Sequence, residues 1–396
     1  MRRIRVVRVI HHLVRGGGVQ TRLTELLPRL AEHVDVRVLC YKKRGELADE
    51  LEAAGVPVDL VPRGPKWSPR NLATFAGYFR RHGVDVVHTH SYTANTMGVV
   101  AARLARVPVR IRHIHTLIPW GREGPYRTAL RKVADRWAAG MADVTLAVSA
   151  AARDRFLRGT RLPDAACRVL YNGVDLTRFA DARERGGAVR EEFGLSPEAP
   201  VVGVVGRLAR GKGQSEFLRA ARIVKERRPE ARFLVVGEGP FRKELEETAR
   251  ALGLEDRVVF TGYRRDIPAI LGSLDLFVFS GLPDADGRIP DGLPGVVIEA
   301  QAAGVPVVAF DLPMMPELLP AEVPSGCLVP TGDVEALARA VEGFLDRGEE
   351  RELLERAAKR NAQRFSIDRC VENTLALYEE YLRRKVPSRP APRGEG

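Results

Sequence analysis

The chain has 396 residues, 45% hydrophobic and 29% charged, enough apolar side chain for two cores of ordinary size and too much for a disordered protein. Its net charge of +12 suits polyanionic partners: phosphates, nucleic acid or an anionic membrane face. Four dispersed cysteines, Cys40, Cys167, Cys327 and Cys370, have no CxxC spacing and read as reduced, buried small residues, and no run of about 18 uncharged apolar residues is long enough to span a bilayer.

The first strand is expected over residues 4–10. Arg5 and Arg8 interrupt its apolar run and His11 and His12 follow it, a pattern unlike a secretory signal, so the protein is expected in the cytoplasm. That strand runs into Arg15-Gly16-Gly17-Gly18-Val19-Gln20 and a helix over 21–31. Further strands are expected over 34–39, 84–87, 109–114 and 144–148, then 201–205, 233–236, 258–260, 276–279 and 307–309. Continuous apolar runs mark strands covered on both faces, and the helical stretches between them imply right-handed βαβ units in parallel sheets. The fold class is therefore α/β with two doubly wound, Rossmann-like domains. The polar stretch 181–200, with Gly186, Gly187, Pro197 and Pro200, places the boundary, giving domains 1–182 and 183–365. An amphipathic helix over 366–384 follows no further strand, and the Pro/Arg/Gly-rich tail 385–396 is expected to be disordered.

Three segments carry chemistry. Glycines 16–18 let the backbone turn tightly and approach another molecule, and the helix start behind them favours an anion. The alternative is a plain strand-to-helix turn. GxGxxG is not matched and no acid stands at the dinucleotide spacing, which disfavours a nicotinamide enzyme. In the second half, Gly206-Arg207-Leu208-Ala209-Arg210-Gly211-Lys212-Gly213 sets fixed cations in a loop that leads into a helix. Arginine offers a planar fork for phosphate and lysine a mobile point charge. A solvated basic turn is the plainer reading, and the absence of Walker A spacing removes any implication of ATP hydrolysis. The third segment is Asp291-Gly292-Leu293-Pro294-Gly295-Val296-Val297-Ile298-Glu299. Its two acids stand eight positions apart, one in a Gly/Pro loop and one in the first turns of a helix, where carboxylates suit vicinal hydroxyls of a sugar or ribose and amides such as Gly295 and Val296 suit an anion.

Together with Val235-Val236-Gly237-Glu238-Gly239-Pro240 and Phe260-Thr261-Gly262-Tyr263, these segments resemble the GT4 family of retaining glycosyltransferases with the GT-B fold. In the first half, Asp85-Val86-Val87-His88-Thr89-His90, Ile114-His115 and Tyr171-Asn172-Gly173-Val174-Asp175 agree with it. The resemblance implies two domains facing across a cleft, with the helix 366–384 packing on the first. It implies that Arg207 and Lys212 clamp the donor diphosphate beside Gly206, that Glu299 holds the ribose and Asp291 the transferred sugar, and that Gly295 and Val296 offer amides. Tyr263 and Arg264 would line the base pocket, Gly16, Gly17, Gly18 and His90 would form the acceptor and phosphate side, and His115 would lie near the reacting sugar. Two departures stand out: Asp291 replaces the family's usual Glu, one methylene shorter, and Thr116 follows His115 where Gly is usual. The Asp-Gly-Leu-Pro block is similar to a subgroup associated with exopolysaccharide or cell-surface glycan assembly.

The expected reaction moves a sugar from a nucleotide-diphosphate sugar to a glycan, lipid-linked or small-molecule acceptor, without a cofactor or metal and without nucleic acid as a partner. A nucleotide-sugar epimerase or phosphorylase on a similar scaffold and a basic nucleic-acid-binding protein are the competing readings. Asp284-Ala285-Asp286 has DxD spacing and reads as a surface turn. His11, His12, His88 and His113 read as structural, and no cluster has metal-ligand spacing along the chain. Over 126–137, Tyr126, Leu130, Val133 and Trp137 share one helical face among Arg127, Arg131, Lys132 and Arg136; a core-facing helix is favoured over a face that rests on an anionic membrane.

Overall fold

The computed structural model describes the chain apart from residues 1, 63, 65–67, 118–123, 285–286, 288, 290, 348–349 and 386–396. The Ala285 and Asp286 of the DxD-like turn and the tail from Val386 thus lie outside the described residues. Two compact units result: one runs from the N-terminus to Gly173 and takes the chain back from Ile367, the other is Val174–Ser366.

The first unit is a parallel sheet of β1 (Arg5–Ile10), β2 (Asp35–Cys40), β3 (Val58–Leu60), β4 (Val86–His90), β5 (Val109–Ile114), β6 (Val144–Ala147) and β7 (Cys167–Val169), in the order β3-β2-β1-β4-β5-β6-β7. The second is a parallel sheet of β8 (Val201–Val205), β9 (Arg232–Val236), β10 (Val258–Gly262), β11 (Leu276–Phe279), β12 (Val307–Phe310) and β13 (Gly326–Val329), in the order β10-β9-β8-β11-β12-β13. Every residue of β4, β6, β11 and β12 is buried, as a sheet covered by helices on both faces requires. Strands β3, β7 and β13 were not expected from the sequence. Each lies at a sheet edge, is short, and pairs on one side only, so it needs no continuous apolar run.

Two local departures have clear causes. The first helix begins at Gly18 rather than Thr21, because Gly17 takes the extended N-cap conformation (φ −108°, ψ 129°) and the turn is complete before it. Gly186 and Gly187 of the polar stretch 181–200 lie inside the second unit, in the helix Ala182–Glu192. A Cβ on Gly186 would stand 2.3 Å from the Gly272 carbonyl carbon, and one on Gly272 would stand 1.7 Å from the Ala182 oxygen, so these glycines let two helices touch backbone to backbone.

The helix Ile367–Lys385 belongs to the first unit. Val371, Leu377, Tyr378 and Tyr381 join the core formed by Val6, Ile10, Val86 and Ile111, and Arg29 Nη1 donates to Asp368 Oδ1 at 2.6 Å.

Candidate active site

In each sheet the strand order reverses beside the first strand of the unit, between β1 and β4 and between β8 and β11. Loops leaving the carboxyl ends of such strands diverge and leave a crevice, the usual ligand position in doubly wound sheets. The glycines 16–18, His90, Arg207, Lys212 and Asp291 lie on or follow these strands, whereas Tyr263 and Arg264 follow β10 and His115 follows β5.

In the second unit, the loop after β8 carries Gly206, Arg207 and Lys212, and the loop after β11 carries Asp291. Backbone hydrogen bonds hold the β8 loop to its neighbours: Gly206 N donates to Val236 O at 2.9 Å, Leu208 N to Glu238 O at 3.0 Å, and Leu282 N to Gly211 O at 3.0 Å. Ser280 Oγ donates to Gly213 O at 2.7 Å. Gly213 is obligatory there: its φ is +75°, and a Cβ would stand 1.5 Å from Ser280 O. So aligned, Lys212 Nζ donates to both carboxylate oxygens of Asp291, at 2.8 and 2.7 Å. An ammonium has three donors and a carboxylate about four acceptor positions, so each partner keeps capacity for a ligand. Arg207 is exposed, and its guanidinium makes no hydrogen bond or ion pair with another described residue. Gly295 and Val296 open the helix Gly295–Ala302, where the first amides have no intrahelical acceptor. Glu299 sits half-buried in the same helix. Direct contact thus joins Lys212 to Asp291, while Arg207 reaches neither acid.

Tyr263 follows β10 and is 57% exposed. Arg264 beside it is committed elsewhere. Its Nη2 donates to Glu192 Oε2 at 2.8 Å and Asp266 Oδ2 at 2.7 Å, its Nε to Asp266 Oδ1 at 2.9 Å, and its guanidinium lies 5.5 Å from the Phe193 ring centroid. Hydrogen bonding to Arg264 holds both carboxyls below their ordinary pKa. The Arg264 fork is thus occupied by two carboxylates, while the Tyr263 ring is exposed.

In the first unit, Gly16 has φ +88° and Gly17 caps the helix Gly18–Ala31, so the loop after β1 presents unpaired helix-start amides. His90 ends β4 and His115 follows β5. His90 Nδ1 and His115 Nε2 lie 2.8 Å apart, and Arg8 Nη1 lies 3.1 Å from His90 Nε2. His88 Nε2 lies 3.2 Å from His113 Nδ1, and His88 Nδ1 lies 2.9 Å from the Tyr378 hydroxyl. His88 and His113, read as structural from the sequence, are buried, and alternate positions on adjacent strands bring their rings together with those of His90 and His115. The signal was the repeated i, i+2 spacing of His88/His90 and His113/His115. Burial lowers the pKa of all four, His115 to about 3, so they act as neutral rings. Nitrogens of His88, His90 and His113 lie within 4.8 Å of one another, close enough to share an ion, but the Arg8 cation stands at one of those nitrogens and opposes a metal there.

Helix Pro125–Met141 reverses another expectation. Tyr126, Leu130, Val133 and Trp137 are 80%, 59%, 65% and 63% exposed, so the apolar stripe faces outward. The helix's single acid, Asp135, is buried in an ion pair with Arg112.

This architecture is that of the GT-B fold. Anabaena HepE, solved in complex with UDP, superposes with a TM-score of 0.82 at 22% identity, covering 96% of this chain and 100% of that one. A sucrose-phosphate synthase from Thermosynechococcus elongatus gives 0.73 at 21% identity, covering 96% and 99%. At the level of sequence, the Glycosyltransferase Family 4 model matches residues 16–178 and the Glycosyl transferases group 1 model residues 188–361. The GDP-mannose-dependent alpha-(1-6)-phosphatidylinositol monomannoside mannosyltransferase of Mycolicibacterium smegmatis is 31% identical over 84% of this chain and 86% of its own length. The 2-deoxystreptamine glucosyltransferase of Streptomyces kanamyceticus is 30% identical over 82% and 84%. The UDP-Gal:alpha-D-GlcNAc-diphosphoundecaprenol alpha-1,3-galactosyltransferase of Escherichia coli is 28% identical over 80% and 81%. The chain belongs to glycosyltransferase family 4, and it is a glycosyltransferase.

Proposed function

We propose that the second unit binds a nucleoside-diphosphate sugar and that the enzyme transfers its sugar, with retained anomeric configuration, to an acceptor engaged by the first unit. The observation that carries this reading is the Lys212–Asp291 pair across the loops of β8 and β11, beside an Arg207 with an uncommitted fork. Lys212 and Arg207 face the diphosphate, Asp291 accepts from hydroxyls of the transferred sugar, Glu299 from the ribose, and the amides of Gly295 and Val296 take a phosphate or sugar oxygen. Tyr263 flanks the base. As the glycosidic bond breaks, its electron pair goes to the leaving phosphate oxygen, and the two cations stabilise the added charge. One cation about 4 Å from that oxygen is worth about 4 kcal/mol at an effective dielectric near 20. The acceptor hydroxyl then attacks the face the diphosphate vacates, with its proton passing to a phosphate oxygen. His115, neutral at pH 7, lies near the sugar as an uncharged ring and not as a cation.

For the acceptor we favour a lipid-linked glycan in cell-surface assembly, reached from the cytoplasmic face of a membrane. The names of the mycobacterial and Escherichia coli relatives support the lipid linkage. The outward stripe of the helix Pro125–Met141, with basic residues and no exposed acid within the helix itself, supports peripheral contact with an anionic surface. No described helix is long and apolar enough to cross a membrane.

A panel of nucleotide-sugars scored by thermal shift, followed by transfer assays with the stabilising donor, tests the reading. Stabilisation saturating with one donor and a product with retained anomeric coupling in proton NMR are expected. Donor converted to an isomer without acceptor would instead establish an epimerase, and an inverted product would reject retention.

A further inference from the structure

Two arginines lie completely buried in the first unit, one each on β1 and β5. Arg112 is matched by a carboxylate: its Nη2 pairs with Asp135 and its Nη1 donates to the Asp135 carbonyl at 3.1 Å. Arg8 has no acid within ion-pair distance among the described residues. Its Nη1 meets His90 Nε2, its guanidinium lies 5.8 Å from the Tyr378 ring centroid, and its Nε and Nη2 have no partner. A guanidinium keeps its charge in a protein interior, and an isolated buried charge is strongly unfavourable unless something compensates it. The neighbouring Cys370 and Tyr378 do not, since burial raises the thiol and pushes the phenol up to about 12. Arg22, also at the cavity wall, is matched by Glu25 at 2.7 Å.

The hydrogen-bond directions sharpen the point. Arginine only donates, so His90 Nε2 accepts and the proton of the neutral ring is on Nδ1. His90 Nδ1 then donates to His115 Nε2, which places the His115 proton on Nδ1, an atom buried without a partner. The second chain joins the Tyr378 hydroxyl, His88 and His113 and can run in either direction, because a phenol both donates and accepts. Arg8, His113 and His115 line one cavity, with Asn172 and Cys370, leaving about 20 Å³ to the centre of a water-sized particle. The orphan atoms of Arg8 and His115 are N–H groups, and the group that satisfies them must be an acceptor.

We propose that this cavity, between β1, β4 and β5 and the helices Gly18–Ala31 and Ile367–Lys385, is a site for one small monovalent anion of halide size with Arg8 as its counter-charge. The space takes a single such particle and is too small for a phosphate. Crystals soaked in bromide are expected to show an anomalous peak against the Arg8 guanidinium. In solution, replacing gluconate with bromide at constant ionic strength should raise the melting temperature by about 3–6 °C per tenfold increase above the dissociation constant. Arg8→Met should abolish that dependence and Arg8→Lys should weaken it; if Arg8→Met does not fold, Arg8→Lys and the diffraction experiment still decide. Bromide dependence undiminished in Arg8→Met would mark an adventitious ion only and overturn the site. So would a cavity holding only water, or metal analysis finding a transition ion on the histidines.

Discussion

Lys212 and Asp291 are each about a quarter exposed, which limits the ion pair's contribution to stability to about 1 kcal/mol. Arg207 has no side-chain partner to lose among the described residues. Arg207→Ala and Lys212→Ala should therefore melt within a few degrees of the parent while kcat falls by about 10²–10³-fold, as for loss of one preorganised charge-stabilising donor. Near-normal turnover at saturating donor in both variants would rule out the clamp. His115 supplies a different readout. Its folded pKa, about 3, lies below the ordinary histidine value of 6.5, so the unfolded chain binds the proton first as pH falls. The stability it contributes is complete above about pH 6.5 and is lost toward pH 3, at up to about 1.4 kcal/mol per pH unit. His88, His90 and His113 shift in the same direction and should steepen the loss. Urea titrations at pH 7.5, 6.0 and 5.0 should show it, with a shallower slope in His115→Gln; a flat profile would mean that the rings accept protons in place.

At the scale of elements, neighbouring glycines in one helix have opposite tasks. Gly186 faces the Gly272 backbone at a distance no Cβ can occupy, whereas a Cβ on Gly187 meets nothing within 4 Å. Gly187→Ala should stabilise by about 0.5–1 kcal/mol through helix propensity and reduced unfolded-state entropy. Gly186→Ala should separate two helices and cost at least about 2 kcal/mol. Thermal melts of the pair read both signs, and equal effects would sink the helix-contact account. The same glycines in a polar context look like a linker when only composition is available. Likewise the apolar stripe of Pro125–Met141 has the period of a core-facing helix, and only the fold reveals that it turns outward.

For the whole molecule, the return of Ile367–Lys385 matters most. Val371, Leu377, Tyr378 and Tyr381 are buried in the first unit, and burying such side chains contributes about 1.5–3 kcal/mol each, comparable in sum to the net stability of a domain. A fragment ending at Gly173 should fail to unfold cooperatively in urea, and one with residues 367–385 joined by a flexible linker should regain a sigmoidal transition. A cooperative 1–173 fragment would show the helix to be dispensable. Tyr378 also closes the hydrogen-bond chain to His88, so loss of the helix should disturb the histidine cluster as well.

The sequence by itself determined the α/β class, the parallel order of the central strands and the family. Those features depend on runs of buried valine and isoleucine and on loop motifs contiguous in the chain: Gly206 to Gly213, Asp291 to Glu299 and Gly16 to Gly18. It also brought Lys212 and Asp291 into one candidate site, 79 positions apart, because both motifs end strands that a doubly wound sheet sets side by side. Tertiary structure alone decided what rests on long-range neighbours: that Arg264 spends its fork on Glu192, that β3, β7 and β13 complete the edges, that four histidines and Arg8 meet, and that Arg8 has no acid at ion-pair distance among the described residues. Local pattern reports which side chains share a face, but a charge's partner is set by the packing of elements distant in sequence, and no spacing along the chain encodes it.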